Sequence, residues 1–184
     1  MKPTSTSKQH KLSDKIRVAV NHQKIAELPK KRLQFYKKYA ALVQKTLKTP
    51  LFQRFVHWML KRENIEEQRI KDVQVRVLPR LKDNGNTLAG TCKKRGKRGK
   101  ILIYPKRRDS YRRLTSRFGK KSAYLYIKSR ARAAFIHELL HLKYARNEEQ
   151  VRQLTQKYLR IFTRNTEDYP DSQHHHVVRM LFPS

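Results

Sequence analysis

Acidic residues are scarce in this sequence. Its 184 residues include 14 aspartates and glutamates against 45 lysines and arginines, which gives a formal net charge of +31. Self-repulsion of this size opposes compact folding unless a polyanion neutralises it, and the usual polyanion is nucleic acid. Solubility alone requires a net charge of only about 2 to 8 on a small domain. The charge therefore predicts a nucleic-acid partner.

Cysteine and long apolar runs are also missing. The single cysteine, Cys92, excludes an internal disulfide and is typical of a reducing compartment. The apolar runs are only a few residues long, so no transmembrane helix is expected. Residues 1–15 are polar and basic, unlike a secretory signal peptide. We therefore expect a cytoplasmic protein.

Composition and hydrophobic periodicity divide the chain into four parts. Residues 1–30 have the composition of a basic N-terminal arm that becomes ordered only against a partner. In residues 31–72, apolar residues recur at steps of three and four, which predicts two helices, with Thr49 as the N-cap of the second. Residues 73–162 carry strand and helix patterns, and residues 163–184 form an irregular tail.

The alternation of Val73, Val75 and Val77 with polar residues predicts a half-buried strand. Leu88–Thr91 and Ile101–Tyr104 predict two more, so we expect a sheet of about three strands. Helical patterns follow over 110–118, 123–144 and 147–162, the first of them closed by a glycine. The fold class predicted is α+β.

One motif in the predicted helix 123–144 indicates chemistry. His137, Glu138 and His141 form the pattern H-E-x-x-H. At positions i and i+4, two histidines lie on one helix face and can share a Zn²⁺ ion at about 2.0–2.1 Å each. The glutamate between them can accept a proton from a zinc-bound water as general base. We predict one zinc ion per chain, with Glu138 as the catalytic residue.

A zinc ion needs a third protein ligand, and three groups can supply it. Asn147 is a natural N-cap for the last helix, with Gln150 as its capping-box partner. This register puts Glu148 on the inward side and Glu149 on the solvent side, so Glu148 is the predicted ligand. Glu149 is explained more simply by its favourable position at a helix N-terminus. The run His174–His176 is the remaining alternative.

The order of these segments resembles a known family. A small-residue strand over Leu88–Cys92, a basic turn, a strand over Gly99–Tyr104 and then His137–Leu142 are similar to the small zinc metallopeptidases of the SprT, YgjP and WLM type. The resemblance covers about residues 73–162, and the H-E-x-x-H motif is its specific element.

The resemblance implies a minimal zincin fold, in which a few-stranded sheet packs on the active-site helix. It implies His137 and His141 as zinc ligands, Glu138 as base, and an edge strand near Ile101–Tyr104 that receives an extended peptide substrate. Many relatives have a third histidine shortly after the motif, where this chain has Asn147 and Glu148.

Basic residues are densest between Lys93 and Arg132, where 17 lysines and arginines accompany one acid, Asp109. Aromatic residues lie among them, and this mixture is typical of proteins that contact phosphates and stack on bases. The predicted nucleic-acid contacts are Lys93, Lys94, Arg95, Lys97, Arg98, Lys100, Lys106, Arg107, Arg108, Arg112, Arg113, Lys120 and Lys121.

These features lead to one functional hypothesis with two alternatives. The first is a zincin-fold, metallopeptidase-like protein bound to ribosomal RNA on the ribosome. The alternatives are an active zinc protease brought to peptide substrates by nucleic acid, on the ribosome or on protein–DNA crosslinks, and a purely architectural RNA-binding protein with a vestigial site. Membrane binding is disfavoured because no helix pairs a lysine-rich face with large exposed apolar residues. Nothing in the sequence indicates a homo-oligomer.

Overall fold

The protein is described by a computed structural model, which covers residues 11–20, 28–78, 89–92, 99–145, 147–165 and 181. Four helices carry most of these residues: α1 (Lys30–Leu47), α2 (Pro50–Arg62), α3 (Arg108–Tyr144) and α4 (Glu148–Arg164). Four strands form one sheet: β1 (Ile16–Ala19), β2 (Ile70–Arg76), β3 (Ala89–Cys92) and β4 (Gly99–Ile103). The α+β class predicted from the sequence is confirmed.

The two helices predicted before residue 72 are present, and Pro50 lies at the start of α2. Thr49 is the N-cap residue of α2, as predicted, but its side chain makes no capping hydrogen bond. The Thr49 hydroxyl donates to the carbonyl of Thr46 at 3.0 Å, so it closes the end of α1 rather than accepting from an amide of α2.

A backbone break divides α3 into two helical segments. Gly119 has a φ of +78° and a ψ of 164° inside the helix. Side-chain-bearing residues almost never adopt this conformation, so the glycine permits the break. The break agrees with the two separate helices predicted on either side of this residue.

The sheet has four strands, not three, in the order β1-β2-β4-β3. β1 runs parallel to β2, with Ile16 beside Val73, and it comes from the segment predicted to be an extended arm. Ile16 is buried in the core, and Lys15 donates to the carbonyl of Ile70 at 3.0 Å. The residues that meet here are more than 50 positions apart in the sequence; Lys15 and Ile70, for example, are 55 apart. No local sequence pattern therefore predicts this pairing.

The edge strand is also different from the expectation. β4 pairs with β2 on one side in parallel and with β3 on the other side in antiparallel orientation. Ile101–Ile103 therefore lies inside the sheet, and the prediction of an edge strand near Ile101–Tyr104 is wrong. Among the strands that the structure describes, the edge on that side is β3.

The core lies between the sheet and the helices. α1 packs against β1 and β2, α3 packs along β3 and β4, and α4 packs on α3. The ends of α1 and α3 are tied by the Arg108 amide, which donates to the Tyr36 hydroxyl at 3.3 Å. Among the residues that the structure describes, no helix is long and apolar enough to cross a membrane.

A single buried carboxylate joins three of the helices. Glu63 follows the last residue of α2 and accepts hydrogen bonds from Tyr144 in α3, at 2.5 Å, and from Tyr158 in α4. Lys143 lies 3.5 Å from the same carboxylate. Burial alone would raise the pKa of Glu63, but the two hydroxyls and the lysine outweigh burial and lower it.

We expect Glu63→Gln to reduce the free energy of unfolding at pH 7 by about 1–3 kcal/mol, because it leaves a buried hydroxyl without its acceptor. A carboxyl whose folded pKa is lowered stabilises the fold above its unfolded pKa of about 4.3, and this stabilisation is lost as the pH falls through the folded pKa. The gap between wild type and variant should therefore close in acid.

Urea denaturation at pH 7 and at about pH 3 measures both effects. Glu66→Gln is the matched control, because Glu66 is exposed and three residues away. Equal stabilities of wild type and Glu63→Gln at pH 7 would contradict this role of the carboxylate.

Candidate functional site

Two histidine rings meet one turn apart near the C-terminal end of α3. His137 and His141 have ring centroids 4.6 Å apart, and their Nε2 atoms are separated by 3.1 Å. Their side chains are 19% and 16% exposed. The helical spacing i, i+4 brings both rings to the same face, as the motif predicts.

The first residue of α4 completes the group. Glu148 places one carboxylate oxygen 3.2 Å from Nε2 of His137 and the other 3.2 Å from Nε2 of His141. The Asn147 side chain accepts from the Gln150 amide at 3.1 Å, so the predicted cap sets the start of α4. Glu148 is 68% exposed, which leaves the group accessible to solvent on this side.

The other nitrogen of His141 is fixed by the backbone. Its Nδ1 lies 2.6 Å from the carbonyl oxygen of Ala145. A carbonyl only accepts, so Nδ1 carries the proton, and in the neutral ring Nε2 bears a lone pair. Ala145 has a φ of +51° and a ψ of −106°, a strained conformation for alanine that ends α3 and orients this carbonyl.

His137 is held in the same way by α4. Its Nδ1 lies 3.4 Å from the hydroxyl of Thr155, which donates its own proton to the carbonyl of Val151 at 2.7 Å. The hydroxyl therefore accepts from Nδ1, and the lone pair of His137 is on Nε2.

Two lone pairs and a carboxylate converge on one point, and they repel one another unless a positive charge lies among them. A metal ion or a proton on one ring would supply it; burial lowers the pKa of His137, Glu148 opposes this effect, and the neighbouring His141 adds to it. A tetrahedral ion bound at about 2.0–2.1 Å holds its ligand atoms about 3.3–3.4 Å apart. The separations of 3.1–3.2 Å are close to this requirement.

The structure brings together the three side chains predicted as ligands, and one ligand atom from each lies within 4.8 Å of the other two. Glu149 is exposed and accepts from Gln153 at 2.7 Å, outside this group. The alternative His174–His176 lies outside the described residues. Glu138 is buried on the turn between the two histidines.

Sequence reasoning missed the residues behind the ligands. Thr155 gives no signal except its position on the inward face of α4, and the carbonyl of Ala145 gives none. The hydroxyls of Tyr144 and Tyr158 both donate to Glu63.

The predicted nucleic-acid residues have different surroundings. Arg107, Arg112, Arg113, Lys120 and Lys121 are exposed, on both sides of the break at Gly119. Lys100, Lys106 and Arg108 are half-buried. Lys93, Lys94, Arg95, Lys97 and Arg98 lie outside the described residues.

Lys106 has an internal role as well. Its ammonium donates to the hydroxyl of Tyr126 at 3.0 Å and lies 5.1 Å from the centre of that ring. This contact ties the segment before α3 to the middle of the helix. Lys106 is therefore a weaker candidate for a phosphate contact than the five exposed residues.

Two arginines of the same segment do not belong to the surface. Arg132 is buried, 4.7 Å from the centre of the Phe162 ring and 5.7 Å from that of Phe52. Arg130 is buried too and donates to the carbonyl of Tyr104 at 2.9 Å. Counting charges along the sequence therefore overstates the basic surface of α3.

We find no match of the chain to a protein-family model, to a curated protein or to a solved structure.

Proposed function

We propose that the chain is a zinc-binding protein of zincin type, related in its site to the metallopeptidases that its sequence resembles, and that it acts while bound to RNA. The observation that carries the zinc proposal is the convergence of Nε2 of His137, Nε2 of His141 and the Glu148 carboxylate at 3.1–3.2 Å. Two histidines and one glutamate form a ligand set of catalytic zinc sites, which keep a fourth position for water.

In this proposal His137, His141 and Glu148 hold the ion. Zinc would lower the pKa of a bound water and polarise a carbonyl. Glu138, which is buried, would serve as the general base for a water at this site. Thr155 and the Ala145 carbonyl hold the two imidazoles in the tautomer that presents Nε2.

An extended peptide is the substrate class that this arrangement favours. β3 has one side paired with β4 and, within the described part of the chain, forms the edge of the sheet beside α3. The backbone groups of such an edge can pair with a peptide strand and lay it along the helix that carries the histidines.

We expect purified protein to bind one zinc ion per chain. His137→Ala should abolish binding, and Glu148→Gln should weaken it because one ligand oxygen and its charge are lost. Thr155→Val should weaken binding about 10-fold or more, since it removes the acceptor behind His137. Isothermal titration calorimetry with zinc measures these affinities.

Glu149→Gln is the matched control, because it makes the same chemical change one residue away on the solvent side. Equal losses of affinity in Glu148→Gln and Glu149→Gln would contradict the assignment of the third ligand.

We expect Glu138→Gln to reduce hydrolysis of an unstructured peptide by about 100-fold or more, in line with the contribution of a general base. Its zinc content and its affinity for RNA should not change. Cleavage assays on zinc-loaded wild type and variant, with Glu149→Gln as control, measure this. Zinc-loaded wild type that cleaves no peptide, free or on ribosomes, would favour the architectural alternative.

We infer that RNA is the polyanion that neutralises this chain, and that ribosomal RNA is its cellular form. The support is the net charge of +31 together with the exposed basic residues around the break in α3. Protein–DNA complexes are the alternative, because DNA presents the same phosphates. On this proposal the protein works in the cytoplasm.

We expect the fourfold variant Arg112→Gln, Arg113→Gln, Lys120→Gln, Lys121→Gln to bind RNA more weakly and with a shallower salt dependence. Each lost phosphate contact should reduce the slope of log K against log salt by about 0.7–0.9. Filter binding of ribosomal RNA fragments over a range of salt concentrations measures the slope.

The control is a fourfold variant of exposed lysines in α1 and at its C-cap, Lys37→Gln, Lys38→Gln, Lys45→Gln and Lys48→Gln, which removes the same charge. Identical losses in the two variants would show that α3 has no special part in binding.

A further inference from the structure

The only tryptophan of the chain lies on the surface of α2. Trp58 is 41% exposed, which is unusual for a residue with so large an apolar surface. Its ring is supported by Phe55, with ring centroids 5.5 Å apart, and by the edge of Tyr158 in α4, at 6.0 Å. The ring is therefore held in place while a large part of it faces solvent.

Three of the four residues that flank Trp58 on its face of the helix are cations. Positions three and four residues before and after it, which share its face of the helix, are Arg54, Phe55, Lys61 and Arg62. All three cations are exposed, and the guanidinium of Arg62 lies 5.7 Å from the centre of the tryptophan ring.

Three acidic residues follow close behind these cations, at Glu63, Glu66 and Glu67, and Glu66 is exposed. Glu63 is buried and bound to Tyr144 and Tyr158. Glu67 lies 3.7 Å from His57. The surface formed by Arg54, Trp58, Lys61 and Arg62 therefore combines an exposed ring with an excess of positive charge.

An apolar protein partner would not match this surface, because it would have to remove three cations from water without compensation. A nucleic-acid strand matches it, since its bases offer flat apolar faces and its phosphates offer the opposite charge. We propose that Trp58 is a stacking site for a base of single-stranded nucleic acid, with Arg54, Lys61 and Arg62 contacting the flanking phosphates.

This site rests on the proposed association with RNA, but it lies on α2, outside the basic segment of α3 that the sequence points to. It adds an element that recognises unpaired bases, whereas exposed lysines and arginines alone recognise the phosphate backbone.

The sole tryptophan makes the proposal measurable without a label. We expect oligouridylate to quench the intrinsic tryptophan fluorescence of the full-length protein, because a stacked base contacts the ring directly. Inorganic polyphosphate has the charge without the bases, so it should bind and leave the fluorescence nearly unchanged. Equal quenching by both polyanions would overturn the proposal.

Substitutions separate stacking from charge. Trp58→Leu should weaken binding of labelled oligouridylate by about 5- to 100-fold, the range expected for loss of one stacked base. Trp58→Phe keeps a ring and should stay within a few-fold of wild type. Leu51→Ala, a change at another exposed apolar residue of α2, is the control and should bind as wild type does.

The remaining outcomes are distinct. Melting temperatures near that of wild type show that the variants are folded. Full affinity of Trp58→Leu, with reduced affinity of the fourfold α3 variant, would overturn this site and leave the proposed RNA association intact. Absence of any binding of wild type to RNA or oligouridylate would overturn both. Full affinity of Trp58→Leu together with loss of a co-purifying protein would assign the surface to a protein partner.

Discussion

The Glu63 carboxylate is the contact on which the geometry of the candidate site depends. It lies where α2 ends and receives one hydroxyl from α3 and one from α4. Tyr144 is three residues after His141, and Tyr158 is three residues after Thr155, so each tyrosine is about one turn from a residue of the site. The carboxylate therefore sets the distance between the two helices whose ends must meet for Glu148 to reach both histidines.

Such a buried carboxylate is stable only while it is fully bonded. Two hydroxyls and the nearby Lys143 compensate for its removal from water. The chain has few acidic residues; two of them, Glu63 and Glu138, are buried, and Glu148 lies beside the two histidines. Because the protein has a net charge of +31, these few carboxylates supply negative charge that a neutral side chain cannot replace.

Whether a feature of the fold or of the candidate site could be predicted from the sequence depends on how far apart along the chain the interacting residues are. The cap at Asn147, the break at Gly119 and the paired histidines are local patterns within one or two helical turns, and they were predictable. The strand β1 was not, because its partner β2 lies more than 50 residues away. The edge position of β3 depends on that same long-range order.

The groups that hold the two histidine rings could not be predicted from the sequence for a similar reason. Thr155 reaches His137 only because α4 folds back along α3, and the Ala145 carbonyl faces His141 only because of a strained backbone. Glu63 precedes a charged stretch whose pattern predicts solvent exposure, and its burial becomes visible only when two tyrosines from other helices are in place. Arg130 and Arg132 show the opposite case: both lie in a strongly basic stretch that predicts a charged surface, and both are buried in the structure.

The proposed zinc ion and the proposed nucleic acid would have opposite electrostatic effects on this chain. A dication raises by 2 the net charge of a protein that already repels itself, because the charge of the Glu148 carboxylate is already counted in the +31. Phosphates bound at the surface offset that repulsion, most strongly within the screening distance of about 8 Å at physiological ionic strength. If both proposals hold, each ligand favours the other, because linkage between two binding sites is reciprocal. Tyr158 provides a physical connection between them, since it supports Trp58 on one side and donates to Glu63 on the other.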